Sequence, residues 1–196
     1  MLYSEVSTLY SQQLKEKVQP LQAEISILMR DYMKAQMMMQ PDKDFYPDAN
    51  LTLRVTYGNV KGYTARDAVQ YTYATTDKGL EEKYIAGDEE FDLPDSLVKL
   101  IEQNDFGRYA NKEGNLPVAF IASNHTTGGN SGSPVINAYG QLIGTNYDRV
   151  WEGTMSDIMY DPNRCRNITL DIRYTLFIID KYAGATNIIQ ELNIVQ

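Results

Sequence analysis

The sequence predicts a mainly β domain with helices, preceded on its N-terminal side by a helical segment. Three observations carry this. Apolar residues recur at helical spacing through about residue 39, then alternate with polar ones beyond Pro41. Turn residues punctuate the remainder at short intervals. A Gly/Ser-rich loop, Gly128-Gly129-Asn130-Ser131-Gly132-Ser133-Pro134, lies between apolar runs.

Leu2, Val6, Leu9, Tyr10 and Leu14 begin the helical pattern, and Leu21, Ile25, Leu28, Met29, Tyr32 and Met33 repeat it. Pro20 is expected to break or kink the run, or to open a second helix in its first turn. Met33, Met37, Met38 and Met39 read as packing residues for a surface outside this chain. Pro41-Asp42-Lys43-Asp44 ends the helix. Leu51, Leu53, Val55 and Tyr57 then alternate with Thr52, Arg54 and Thr56, the pattern of a half-buried strand, and Gly58-Asn59 turns into a second strand near Val60 to Thr64. A short helix is expected from about Ser96 to Glu102, and a buried strand over Leu116 to Ala122. Pro134 to Asn137 and Gln141 to Tyr147 form a hairpin around Asn137-Ala138-Tyr139-Gly140. Ile168 to Ile172 is the last strand, running into a helix through Leu176, Ile179 and Ile189. The division this implies is 1–44 helical and 45–196 β-rich.

Composition narrows the function classes. At 196 residues, 43% hydrophobic and 22% charged, the chain has the make-up of a globular domain. A net charge of -8 without a basic cluster argues against a nucleic-acid partner. One cysteine, Cys165, and one histidine, His125, allow no internal disulfide and no usual transition-metal site, and no cofactor is expected. Apolar windows such as Tyr174 to Ile179 are too short to span a bilayer. Met1-Leu2-Tyr3-Ser4-Glu5 lacks the basic start and apolar run of a signal peptide. Asn50, Asn124 and Asn167 each open an Asn-x-Thr sequon, a frequency that chance accounts for as well as glycosylation does.

The chemistry concentrates at Ser131. Acyl transfer needs a hydroxyl presented on a tight turn, with backbone N–H groups aimed at the developing oxyanion. Glycines around Ser131 permit the turn and let a substrate carbonyl approach the backbone. This arrangement resembles that of chymotrypsin-like enzymes, which implies as oxyanion donors the N–H groups of the serine and of the residue two before it, here Ser131 and Gly129. Asn130 cannot form the ion pair with a new N-terminal amine that an Asp forms after zymogen cleavage. His125, six residues before Ser131, is too close in sequence to be the general base, because that fold orders its triad His, Asp, Ser. It reads as a loop histidine. Base and orienting carboxylate are therefore expected upstream, outside these residues, and the chain alone is expected to be inactive.

Longer strings extend the likeness over nearly the whole sequence. They are 45–58 (Phe-Tyr-Pro-Asp-Ala-Asn-Leu-Thr-Leu-Arg-Val-Thr-Tyr-Gly), the Ser131 loop, 144–153 (Gly-Thr-Asn-Tyr-Asp-Arg-Val-Trp-Glu-Gly) and Asp171-Ile172-Arg173-Tyr174. In these the chain closely resembles the dipeptidyl peptidase 7 and dipeptidyl peptidase 11 family of bacterial serine exopeptidases. The resemblance implies a bilobed chymotrypsin-like double β-barrel with a helical insert. The chain would supply the end of that insert (1–44) and the C-terminal, serine-bearing barrel (45–196), as a C-terminal fragment of its parent. It also implies that Asp148 holds the free amine of a peptide N-terminus and that the next residue separates the branches: Gly for hydrophobic side chains, Arg for acidic ones. Arg149 makes this sequence similar to the dipeptidyl peptidase 11 branch, which cleaves after Asp or Glu at the second position. An arginine there favours a carboxylate and penalises side chains that leave it unpaired. The partners implied are peptides with a free N-terminus, the location the periplasm or surface of a Gram-negative bacterium, and a homodimer is among the assemblies open to the parent. Trp151 reads as a packing residue, and Arg54, Tyr57 and Tyr63 as structural. A glutamyl-type endopeptidase and a non-catalytic barrel kept for binding are the competing functions.

Overall fold

The computed structural model describes residues 2–43, 45 and 53–195. The chain divides into two compact units, Met1–Pro47 and Asp48–Gln196.

In the first unit, α1 (Leu2–Leu9) passes through a π-helical turn (Tyr10–Leu14) into α2 (Lys15–Met39). Pro20 lies inside α2 rather than at a break. The missing N–H leaves the Glu16 carbonyl without its partner in the helical ladder, a loss the surrounding turns tolerate. The irregularity falls about two to three turns earlier, in the π turn. α2 stops where Pro41 biases Gln40 out of helical geometry, at φ -131° and ψ 66°. No residue of α2 is buried, and its Met-rich end is exposed.

The second unit opens, among its described residues, on an extended segment and then a two-stranded ribbon, β1 (Tyr63–Arg66) with β2 (Val69–Tyr71). The main sheet is antiparallel, with strand order β3-β4-β7-β6-β5. Its members are β3 (Ala74–Thr76), β4 (Pro117–Ala122), β5 (Pro134–Ile136), β6 (Leu142–Arg149) and β7 (Asn167–Asp171). Between β3 and β4 come α3 (Asp77–Lys83), α4 (Asp95–Glu102) and a 3-10 turn at Gly107–Tyr109; after β7 come α5 (Ile172–Phe177), a π turn (Ile178–Tyr182) and α6 (Thr186–Glu191). The chain is thus mixed helix and antiparallel sheet. The expected barrel is not closed among the described residues, because the edge strands β3 and β5 are three residues each, lie at opposite sides and share no ladder.

The strand expected over 51–57 is also corrected. Leu51 and Thr52 lie outside the described residues, and 53–59 join no ladder, with only Val60 bridging to Ala122. The period of two survives with its faces exchanged. Leu53, Val55 and Tyr57 are more than 80% exposed, while Arg54 and Thr56 turn toward the protein.

The core joins Leu97 and Ile101 of α4, Phe106, Tyr109 and Leu116 with Leu176 and Phe177 of α5. Phe106 meets Phe177 edge-on at 5.8 Å between centroids, within the favoured range for aromatic pairs. Tyr109 Oη donates to Asp180 at 2.8 Å; burial, followed by that bond, pushes the phenol up to about 12. The carboxylate of buried Asp77 accepts from Leu116 N–H at 2.7 Å, tying the start of α3 to the approach of β4. A Cβ at Gly144 would lie 2.3 Å from the Leu170 carbonyl oxygen, so glycine lets β6 lie flat against β7. Register then gathers the loops: Asn167 pairs with Ala122 on one side and with Arg149 on the other. The 123–133 loop, the end of β6 and the 150–166 connection therefore emerge together.

Candidate active site

The Ser131 loop is shaped by its own polar groups. Gly129 and Gly132 take φ of +94° and +83°, a region open to glycine and strained for other residues. Thr127 N–H donates to Asn130 Oδ1 at 2.9 Å, and Asn130 N–H to the Thr127 carbonyl at 3.2 Å. Arg54 Nη2 donates to the same Asn130 Oδ1 at 2.8 Å, so the segment before β1 grips the loop. Asn130, which the sequence shows unable to pair with an amine, is held by a cation instead.

Asn146 holds the loop from below. Its Nδ2 donates to the Asn130 carbonyl at 3.1 Å, its N–H to Ser133 O at 2.9 Å, and its carbonyl accepts from Gly132 N–H at 2.8 Å. Asn167 Nδ2 in turn donates to Asn146 Oδ1 at 2.9 Å. Because the 130–131 peptide is planar and trans, pinning the Asn130 oxygen turns the Ser131 N–H to the opposite side. Among the described residues neither that N–H nor the Gly129 N–H meets an acceptor. Asn146 and Asn167 are both buried, so Asn146→Leu strands a donor and an acceptor. It is expected to lower the unfolding free energy by about 1–3 kcal/mol in urea denaturation.

Ser131 itself is exposed, and its hydroxyl donates to the Tyr147 carbonyl at 3.3 Å, its one contact among the described residues. Tyr147 is the extra residue of a bulge in β6: Asn146 faces Thr169 and Asp148 already faces Ile168. A bulge re-aims the side chains that follow it. Asp148 is exposed next to the Ser131 contact, with Oδ1 capping the Arg149 N–H at 2.8 Å.

Arg149 turns into a narrow crevice, too tight to hold a water molecule, lined also by Thr126, Gly153, Ser156, Cys165 and Arg166. Nη1 donates to Ser156 Oγ and Asp157 Oδ1, each at 2.7 Å, and Nη2 to Asp157 Oδ2 at 2.6 Å, a two-pronged ion pair. That hydrogen-bonded pairing raises the guanidinium further and lowers the Asp157 carboxyl, with burial opposing both. Arg166, 4% exposed, donates to the carbonyls of Lys61, Gly62, Pro162 and Cys165 and has no carboxylate partner among the described residues. Two guanidinium groups thus line one crevice of an acidic chain, Arg149 held by a carboxylate and Arg166 by backbone carbonyls.

The one imidazole, His125, lines the same crevice as Arg149. His125 Nε2 lies 2.9 Å from the Ser156 carbonyl, and the ring meets Tyr160 edge-on at 5.1 Å. No group of three His, Cys, Asp or Glu that could hold a metal occurs among the described residues.

Comparison with known proteins places the chain as a whole. The family model described as Peptidase S46 matches residues 2–194. The chain belongs to the S46 peptidase family. The Asp/Glu-specific dipeptidyl-peptidase of Flavobacterium psychrophilum is 54% identical over 186 residues, covering 95% of this chain and 26% of that protein. The dipeptidyl-peptidase 7 of Phocaeicola vulgatus is 47% identical over 172 residues, 88% of this chain and 24% of its own length. A crystal structure of Porphyromonas endodontalis DPP11 with the dipeptide Arg-Asp superposes with a TM-score of 0.85 at 48% identity, over 93% of this chain and 26% of that one. The chain spans about a quarter of the length of the curated S46 relatives it matches.

Sequence reasoning brought Ser131, Gly129, Asp148 and Arg149 forward, and they meet at one end of the sheet. It missed Asn146, Asp157 and Arg166, and it took Arg54 as structural without its link to the loop. Trp151, expected to pack, is 88% exposed, because the 3-10 segment Trp151–Asp157 turns it away from the sheet. Asn167 and Thr169 are buried at 2% and 0% exposure, so that sequon is closed in the folded chain, and Asn50 lies outside the described residues.

Proposed function

We propose that this chain is the nucleophile-bearing C-terminal part of a serine dipeptidyl peptidase that releases N-terminal dipeptides with Asp or Glu at the second position. The observation that carries the reading is Arg149, a pocket guanidinium on the same strand end that accepts the Ser131 hydroxyl. Similarity to the relative named Asp/Glu-specific dipeptidyl-peptidase supports the same reading.

In this reading a substrate's acidic side chain enters beside Arg149, and its free amine meets the Asp148 carboxylate. Anchoring the amine fixes the cleavage point two residues in. Ser131 Oγ attacks the carbonyl of the second residue while its proton passes to a general base. The N–H groups of Ser131 and Gly129 receive the oxyanion. The C–N bond breaks, the shortened peptide leaves with the proton, and water hydrolyses the acyl-serine. Base and orienting carboxylate come from sequence beyond these residues, since His125 is committed to Ser156 and Tyr160. The same reading makes residues 45–196 the second barrel of a chymotrypsin-like pair, 1–44 the end of a helical insert, and the periplasm or cell surface the place of action.

The test uses the full-length protein with paired reporter substrates of an Xaa-Asp dipeptide, one with a free amine and one N-acetylated. Acetylation is expected to lower kcat/KM by about 100-fold or more, the scale of a charged hydrogen bond left unmade. Equal cleavage of both would assign an endopeptidase instead.

A further inference from the structure

Arg149 is not waiting empty-handed. Its Nη1 and Nη2 are taken by the Asp157 carboxylate, whose side chain is 53% exposed against 24% for Arg149. Ser156 Oγ, and at 3.4 Å the Thr126 carbonyl, share Nη1. Among the described residues nothing accepts from Nε, and Nη2 gives one of its two N–H groups. A second two-pronged edge, Nε with Nη2, therefore remains for another carboxylate.

We propose that Asp157 is a specificity-determining residue, a resident counter-charge that shares Arg149 with the substrate's acidic side chain. This rests on the reading of Arg149 given above and adds a second carboxylate to it. The physical consequence has two parts. When a neutral side chain enters, Arg149 keeps a partner, so the penalty for leaving a cation unpaired is softened. When an acidic side chain enters, two carboxylates meet on one guanidinium, and their repulsion takes back part of the gain. Both effects narrow the preference for acidic over neutral substrates, in exchange for a guanidinium held in place when no substrate is present.

Asp157→Asn keeps the shape and removes the charge. In the full-length protein, kcat/KM for dipeptide substrates with Asp or Glu second is expected to rise relative to those with Ala or Leu. The ratio should widen about three- to tenfold, the scale of a partly exposed ion pair, chiefly through KM. Asp157→Ser, which also removes the reach to Arg149, should move the ratio the same way. A ratio that is unchanged or narrowed in both variants overturns the proposal, narrowing being the mark of a residue that only positions Arg149. Arg149→Gly, measured alongside, separates the two claims. If it leaves acidic preference intact, the reading of Arg149 itself fails. If it abolishes that preference while the Asp157 variants leave the ratio unmoved, the role of Asp157 fails alone.

Discussion

Ser131→Ala in the full-length protein is expected to reduce kcat by at least about 1,000-fold with little change in KM. Removing the nucleophile of a coupled catalytic group removes nearly all that the group contributes, and only binding and oxyanion stabilisation remain. The variant should fold normally. Ser131 is exposed, and its single contact among the described residues is a 3.3 Å bond to the Tyr147 carbonyl. Steady-state kinetics on a free-amine Xaa-Asp reporter, with a thermal melt as the folding control, checks both halves. A drop of tenfold or less would move the chemistry away from this residue.

Arg149→Gly should act on selectivity rather than on the chemical step. Acidic substrates lose a charged, two-pronged partner, and Asp157, deprived of its own, is left to repel them. Together these should lower kcat/KM for Asp- and Glu-containing dipeptides by roughly 100- to 1,000-fold. Substrates with hydrophobic side chains should gain, because the space vacated by the guanidinium can take up an apolar side chain. A substrate panel that varies only the second residue reads this directly. Unchanged preference would remove Arg149 from the substrate pocket.

Where the sequence was informative, a local pattern carried the meaning. Helical spacing located α1 and α2; Asn137 to Gly140 located the β5–β6 hairpin, whose turn closes with Asn137 N–H to Gln141 O at 3.0 Å and Gly140 at φ +78°. The apolar run before Ser123 became β4, and the glycines around Ser131 marked a turn that needs positive φ. The failures share a physical cause. Alternation over 53–57 fixes a period but not which face is covered, and the covered face there is the polar one, drawn in by Arg54 on Asn130 and by Asn124 Nδ2 on the Thr56 carbonyl. Arg166 reaches Lys61 and Gly62 across more than 100 positions, a contact no local pattern encodes. Asp157 was nearer to view: it stands eight positions beyond Arg149, and the Gly153 turn in Trp151–Asp157 is a signal that the chain folds back. Pro20 neither breaks the run nor opens a helix. Its rule is sound for helix initiation and breakage, but a helix long enough to lose one bond can keep the residue inside.

The proposed site is a hydroxyl with its own N–H turned outward and an arginine on the neighbouring strand end, held by the bulge at Tyr147 and the Asn146–Asn167 hydrogen bond. Its central claim is that Ser131 is the nucleophile. The measurement that tests it most directly is peptide mapping of the full-length protein after reaction with a fluorophosphonate, which captures an activated serine. A single phosphonyl adduct on Ser131, prevented by an excess of a free-amine Xaa-Asp dipeptide, is the expected result. An adduct on another residue, or none in a preparation that cleaves its substrate, would contradict the account.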